Sequence, residues 1–287
     1  MNLGLGLRLG QSGGRAKYTD IAIPALANAV RCWSIRRNIP AYKNGNAVRI
    51  IRTDGGSETD VKFSPNGLLS ISGADAFVNA LYEQNGNVGS ALVQSTFANC
   101  PSIYVSNELL KGTQHDASDV LTMANPDAGI DEITNPTAVT NNGFTLSLWG
   151  RRSGGLIDGL MYRRSVTSGL LDILTNGSTL TYRYKSSDNQ TISGFFVNNT
   201  WTMVTLVAKG ADGTANGVKI YKNGNIAGQI QTPVTNTLAT TNLTLQSSST
   251  GATHRVNDVL MYNKNLSDAE VLALYNAQAP YYGLGAK

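Results

Sequence analysis

The stretch Phe144-Thr145-Leu146-Ser147-Leu148-Trp149 carries apolar side chains at alternate positions, with hydroxyl side chains between them. A period of two is typical of a β-strand that buries one face. Leu180-Thr181-Tyr182-Arg183-Tyr184-Lys185 repeats the pattern, and Asn223-Gly224 separates two further apolar runs as a hairpin turn would. Short strands with turn residues between them predict an all-β sandwich or barrel. Further strands are expected at residues 202–208, 218–221, 226–230, 242–246 and 256–262.

The first half of the chain has less regular patterns. Residues 25–37 could begin as a short helix, but Ala29, Arg31, Trp33 and Ile35 fall on alternate positions, so the second half of this segment is predicted to be a strand that ends at Pro40. Residues 48–52 (VRIIR) follow a polar loop and precede a glycine-rich turn, so a second strand is expected there.

Two short helices are also expected. Residues 74–82 carry apolar side chains at helical spacing, with Asp75 in the first turn. Ser267 and Glu270 have the spacing of a capping box, which predicts a helix over residues 267–276 that lies against the sandwich. The apolar face of that second helix consists of Val271, Leu274 and Tyr275.

The composition excludes several classes of protein. Only 15% of the 287 residues are charged, against roughly 25% in an average globular domain. With 30 Gly and 8 Pro, this argues against a coiled coil, a helical bundle and an acidic disordered tail. The net charge of +4 is too small to indicate nucleic-acid binding. No run of about 18 apolar residues occurs, so no membrane span is expected.

The two cysteines, Cys32 and Cys100, lie far apart and have no metal-ligand spacing. Two buried thiols, in a protein made in a reducing cytoplasm, are favoured over a disulfide.

Residues 1–17 are expected to form an extended N-terminal arm, ahead of one sandwich domain at residues 18–287. Leucine and glycine alternate at the start of the arm, unlike the continuous apolar core of a signal peptide, so no Sec-type export is expected. The leucines suit docking on the sheet edge of a neighbouring subunit, and a frayed terminus is the alternative. The docking residues would be Leu3, Leu5, Leu7 and Leu9.

The stretch NDVLMYNKNLSDAEV at residues 257–271 resembles the closing segment of concanavalin-A-like, laminin-G-like jelly rolls. In that family a long strand ends in a tyrosine, and a polar turn leads into a Leu-Ser-Asp/Glu-x-Glu helix start. Residues 143–149, 199–204 and 218–224 resemble the family's other characteristic strands, in the same order. The resemblance covers about residues 125–276 and implies an antiparallel jelly-roll β-sandwich with one or two short helices.

The N-terminal half is similar to phage virion proteins that carry an arabinofuranosidase-B-like sandwich. The similarity rests on CWSIRR at residues 32–37, AVRIIR at 47–52, NALYEQNGN at 79–87 and ALVQS at 91–95. The similarity implies a loop that contacts sugar, but residues of that loop differ from the family's pattern. The similarity therefore supports the fold of the family more strongly than its binding chemistry. The glycan-binding residues implied there are Tyr82, Glu83 and Asn85.

Two further groups are candidate binding residues. Tyr182 and Tyr184 share one face of a strand, where they would stack on a sugar or fill the core. Four arginines would gather at one end of the sandwich if the strand at 144–152 pairs with the next one, and guanidinium groups suit anions or an acidic subunit. Solvated strand ends are the alternative for these arginines, which are Arg151, Arg152, Arg163 and Arg164.

The resemblances imply a non-enzymatic structural protein of a bacteriophage virion, assembled in the host cytoplasm and located at the head, collar or tail. Its expected partners are other virion proteins, copies of itself and, as a weak ligand, host-surface polysaccharide. A purely architectural subunit stays open. No nucleic acid, cofactor or metal is expected, although a calcium ion at the rim stays open.

The alternative is a glycoside hydrolase of arabinofuranosidase-like type. A retaining hydrolase needs two carboxyl groups about 5 Å apart, one of them with a raised pKa. No candidate carboxylate stands in a motif that matches such an enzyme, and solvation or backbone capping is the commoner role of lone carboxylates on turns. The candidates are Glu83, Asp158, Asp172 and Asp258.

Overall fold

The computed structural model describes residues 29, 31–39, 42, 44–55, 57–85, 91–116, 119–123, 143–153, 159–165, 170–184, 188–208, 218–229, 243–246 and 253–287. The arm leucines at positions 3, 5, 7 and 9 lie outside these residues. The strands are β1 (Arg31–Trp33), β2 (Asn46–Arg52), β3 (Thr59–Lys62), β4 (Ala76–Leu81), β5 (Leu92–Val93), β6 (Ser102–Val105), β7 (Glu108–His115), β8 (Val120–Met123), β9 (Phe144–Ser153), β10 (Gly159–Ser165), β11 (Leu170–Asn176), β12 (Thr179–Tyr184), β13 (Asp188–Ile192), β14 (Trp201–Ala208), β15 (Val218–Lys222), β16 (Asn225–Gln229), β17 (Leu243–Gln246) and β18 (Thr253–Tyr262). Helix α1 spans Asp268–Gln278, and short 3₁₀ turns span Phe97–Asn99 and Ala279–Tyr282.

The strands form an antiparallel β-sandwich, as predicted. One layer has the order β1–β18–β9–β14–β15–β16. The other has the order β13–β12–β11–β10–β17–β8–β5–β4–β2–β3. The pair β6–β7 joins the layers, because β6 also borders β4 and β7 borders β18.

Alternation along the central strands builds two apolar clusters. In β14, Val204 and Leu206 point into the main core between the layers, while Met203 and Val207 belong to a second cluster on the outer face. Helix α1 covers this outer face, and its residues Val271, Leu274 and Tyr275 are buried as predicted. The strand is therefore buried along its whole length.

The turn and cap predictions are confirmed. Asn223 and Gly224 have φ angles of 51° and 81° and connect β15 to β16. Both residues thus adopt the left-handed conformation that this hairpin turn requires. Ser267 and Glu270 form the capping box at the start of α1.

The helix predicted at residues 74–82 is wrong, because this segment contains strand β4. Ala76 and Val78 point into the core, and β4 pairs with β2 on one edge and with β5 and β6 on the other. These long-range pairings satisfy its backbone groups, and local apolar spacing did not reveal them.

The strand predicted to end at Pro40 is also wrong in extent, since β1 ends at Trp33. After β1, the Ile35 backbone N–H donates to Asn257 Oδ1 at 3.1 Å, and the Asn38 side chain donates to Asp258 Oδ1 at 2.8 Å. In the segment after β1, hydrogen bonds to side chains therefore take the place of the backbone hydrogen bonds that a longer strand would make. Pro40 lies outside the described residues.

Cys32 and Cys100 are free and buried, as predicted. No helix among the described residues is long and apolar enough to cross a membrane.

Candidate functional site

A groove of about 400 Å³ opens on the outer face of the second layer. The strand register builds its floor, because Thr122 of β8 lies opposite Val93, Val93 opposite Ala80, and Ala80 opposite Arg49 of β2. Neighbouring strands lie roughly 4.8 Å apart, so this row crosses the sheet in three such steps. The small Ala80 side chain leaves the row low beside the long Arg49 side chain at its end. The remaining lining residues are Glu58, Asn79, Gln94 and Ser95.

A β-bulge brings Asn79 into the groove. Arg49 pairs with Ala80 and Ile50 with Val78, so Asn79 is the extra residue of β4. Bulges re-aim side chains in this way. Asn79 is only 8% exposed, and its Oδ1 atom has no hydrogen-bond partner among the described residues. Buried polar atoms are normally paired, so this amide oxygen is a hydrogen-bond acceptor that the described residues leave unsatisfied at the groove lining.

Charged side chains form one end of the groove. Arg49 donates from Nε to Asp60 Oδ1 at 2.8 Å, and its Nη1 lies 3.7 Å from Glu58 Oε2. The hydrogen bond from Arg49 lowers the pKa of Asp60, so this carboxylate stays ionised. Glu58 is 52% exposed and Arg49 41% exposed, which leaves both side chains accessible from solvent.

Tyr82 lies at the margin of this charged end. Its hydroxyl donates to Asp60 Oδ1 at 2.8 Å, and Arg49 Cζ lies 6.0 Å from the centroid of its ring. Partial burial and the Asp60 carboxylate raise the pKa of Tyr82 to about 12. Of the sugar-loop residues predicted from sequence, Tyr82 therefore lies beside the groove.

Glu83 and Asn85 are used inside the fold. Glu83 is 4% exposed and accepts hydrogen bonds from the backbone N–H groups of Cys32 and Asn85, at 2.9 and 2.8 Å. The Asn85 side chain donates to the carbonyl of Ala29 at 2.7 Å. These bonds hold the segment before and through β1 against the end of β4, and neither residue lines the groove.

The tyrosine pair predicted on one strand lies on β12. Tyr182 is fully buried in the main core, so its predicted contact with a sugar is wrong and the core role that its spacing also allowed is confirmed. Tyr184 lies on the same strand, and its side chain is outside the described part of the structure.

The strand pairing behind the predicted arginine cluster is wrong, and the side chains of Arg163 and Arg164 lie outside the described part of the structure, so the cluster itself stays a prediction. Arg151 and Arg152 lie on β9, which pairs with β14 and β18 in the first layer. Arg163 and Arg164 lie on β10, which pairs with β11 and β17 in the second layer. The two pairs therefore lie in different layers of the sandwich.

The carboxylates considered for hydrolysis are placed as follows. Asp258 is fully buried and accepts hydrogen bonds from Asn38 and Tyr282, both at 2.8 Å, and from Arg36. Glu83 is buried by the contacts given above. Asp172 lies on β11 with its side chain outside the described part, and Asp158 lies outside it entirely. Among the described residues, no cluster of three or more His, Cys, Asp or Glu could hold a metal ion.

Sequence reasoning missed most groove residues. Arg49, Asn79 and Thr122 each interrupt an apolar run, which marks outward-facing positions of strands. This pattern identifies the face of the sheet on which a side chain lies, but it does not identify the neighbouring strands. Only the register of β8, β5, β4 and β2 brings the residues together.

Comparisons with known proteins agree on the fold. No protein-family model matches this sequence, and no curated protein matches it. The ligand-binding domain of botulinum neurotoxin serotype D, solved in complex with N-acetylneuraminic acid, is similar with a TM-score of 0.51 at 11% identity, over 91% of this chain and 56% of that one. The binding domain of botulinum neurotoxin serotype D/C VPI 5993 is similar with a TM-score of 0.50 at 14% identity, over 88% of this chain and 53% of that one.

At such low identity the similarity shows the fold alone. The chain spans little more than half the length of these binding domains. The shared feature is the β-sandwich.

Proposed function

We propose that this chain is a non-catalytic binding module that recognises a glycan through the groove on the outer face of β8, β5, β4 and β2. The observation that carries the proposal is the cross-strand row Thr122–Val93–Ala80–Arg49, with the unpaired Oδ1 atom of Asn79 beside it. Concave sites with a few convergent polar groups are the usual form of ligand sites.

The chemistry of the groove suits sugar hydroxyls. Each hydroxyl both donates and accepts hydrogen bonds. Arg49 supplies donors, Glu58 supplies acceptors, and the amide and hydroxyl side chains of Asn79 and Thr122 supply both kinds. Ala80 and the exposed Val93 side chain offer an apolar surface to one face of a sugar ring.

The solved neighbours support a binding role. One of these botulinum neurotoxin neighbours is a binding domain, and the other is a ligand-binding domain solved with N-acetylneuraminic acid. An acidic sugar of that kind would find a guanidinium partner in Arg49.

Binding to a glycan array followed by titration calorimetry tests the proposal. Arg49→Ala is expected to weaken binding at least about tenfold, since a hydrogen bond to a charged group contributes roughly 1.5–3 kcal/mol. Thr122→Val should weaken it by a smaller factor. Gln229→Ala, an exposed amide on β16 in the other layer, is the matched control and should bind as the wild type does. No glycan bound at millimolar concentration, or full binding by both groove variants, would contradict the proposal.

The setting that we propose for this module is a phage virion, with the host-surface polysaccharide as its ligand. The sequence resemblance of the N-terminal half supports this setting. Mass spectrometry of purified particles from a phage that encodes the chain tests this setting, and absence of the protein from the particles would contradict it.

Deletion of residues 1–14 tests the N-terminal arm. We expect the particles to lose the protein, and normal occupancy of the truncated protein would show that the arm does not dock it.

A further inference from the structure

A row of basic side chains lies inside one end of the sandwich. Arg152 of β9 lies directly opposite His254 of β18, which in turn lies opposite His115 of β7. Arg152 follows Leu146 and Leu148 at even spacing, and these leucines belong to the main core. The three basic residues are 4%, 1% and 0% exposed, so the row is buried.

The guanidinium group of Arg152 has one edge without partners. Its Nη1 donates to Asn198 Oδ1 at 2.9 Å, whereas Nε and Nη2 have no hydrogen-bond partner among the described residues. These two N–H groups form the side-on fork that matches the two oxygens of a carboxylate or phosphate group. Arg36, another buried arginine, directs the same two nitrogens at Asp258.

Burial makes this free edge costly. A buried charge needs a paired and hydrogen-bonded partner. Desolvation lowers the pKa of Arg152, but from so high a starting value that the group stays charged. His115 stacks on His254 with ring centroids 5.8 Å apart and contacts the Thr113 hydroxyl at 2.9 Å through Nε2, so the row itself offers no negative charge.

We propose that Arg152, at the end of the row that continues through His254 to His115, forms an internal oxyanion site that takes a carboxylate or a tetrahedral anion in bidentate fashion. The site is separate from the groove, because the groove lies on the outer face of the opposite layer. Failure of one proposal therefore leaves the other standing.

Thermal unfolding of the full chain in matched ionic strength tests the site. Two tetrahedral anions, sulfate and phosphate, and two carboxylates, acetate and glucuronate, are each compared with chloride. The comparison shows which class of anion the site prefers. At least one anion should raise the Tm of the wild type above its value in chloride, with a saturable dependence on concentration. Arg152→Lys keeps the charge but removes the fork and should lose this increment. Arg151→Gln, the neighbouring arginine on the other face of β9, should keep it.

Equal increments in wild type and Arg152→Lys would indicate general salt effects and overturn the proposal. A second measurement does not depend on the variant's folding. Crystals of the wild type grown with selenate should show anomalous density within hydrogen-bond distance of Nε and Nη2 of Arg152. A water molecule or a carboxylate of the chain itself in that position would overturn the proposal.

Discussion

At the scale of single residues, Asp258 holds the N-terminal segment, β18 and the C-terminal turn together. It lies in a β-bulge with φ of 49° and is fully buried. Its carboxylate accepts hydrogen bonds from Ser34, Arg36, Asn38 and Tyr282. Every one of these groups is itself buried, so the network is closed from solvent.

Replacement of Asp258 should be strongly destabilising. Asp258→Ala leaves the Arg36 guanidinium buried without its counter-charge, and we expect a loss of about 3–5 kcal/mol in the free energy of unfolding. Urea titration at pH 7 measures it. Glu58→Gln, which breaks an exposed ion pair, is the control and should change stability by less than about 1 kcal/mol. Equal effects of the two variants would contradict this role of Asp258.

His115 should make the fold sensitive to acid. Burial and the neighbouring His254 lower the pKa of His115 to about 3, whereas the unfolded chain binds this proton near the ordinary value of 6.5. The unfolded state therefore binds more protons between these values, and the free energy of unfolding falls as the pH drops from about 7 towards 3. Asp119 acts in the opposite direction, because burial raises its pKa to about 7.

The contribution of His115 is isolated by a variant that keeps Asp119. His115→Gln should lose stability less steeply than the wild type between pH 7 and pH 4 in parallel urea titrations. Identical slopes for the two proteins would show that the imidazole does not control this dependence.

At the scale of elements, helix α1 and the 3₁₀ turn after it cover the outer face of the first layer. The ring of Trp149 stacks on Tyr282 with centroids 4.1 Å apart, and its Nε1 donates to Gln278 Oε1 at 2.8 Å. Because the helix buries β9 and β14 on their second face, its start and its packing matter to the whole layer.

The capping box should have a measurable effect on stability. The Ser267 hydroxyl accepts from the Glu270 backbone N–H at 3.3 Å, and the Glu270 carboxylate accepts from the Ser267 backbone N–H at 2.8 Å. Ser267→Ala should lower the free energy of unfolding by about 1 kcal/mol. Circular dichroism during urea unfolding measures this, with Ser72→Ala on an exposed loop as the control. A shift no larger than that of the control would mean that the cap is dispensable.

Strand β4 shows where local sequence reasoning fails for an element. Its apolar spacing fits a helix, yet β2, β5 and β6 supply partners for both of its edges. Strand preference depends on neighbours that are distant in sequence. By contrast, the β15–β16 hairpin is determined by Asn223 and Gly224 themselves, and it was predicted correctly.

At the scale of the whole molecule, the two thiols should report on unfolding. Cys32 is fully buried and Cys100 is 2% exposed. Burial raises the pKa of the Cys32 thiol well above its usual range and that of Cys100 to about 11, so neither forms a reactive thiolate near neutral pH. A disulfide-exchange reagent should leave the native protein unmodified and modify both cysteines once urea unfolds it. Rapid reaction of the native protein with the reagent would contradict the burial of the two thiols. Because both cysteines are free, a reductant should not change the Tm.

The sequence by itself determined the class of this protein. Alternation with a period of two, turn dipeptides and the Ser267 cap are local properties, and they gave the all-β class, most strands after residue 143 and the C-terminal helix. Tertiary structure decided which strands are neighbours. It brought Thr122, Val93, Ala80 and Arg49 into one row, and it buried Glu83 and Asp258 as structural carboxylates. The physical reason is that side-chain alternation tells which face a residue occupies, whereas a binding surface is made by the pairing of strands far apart in the chain.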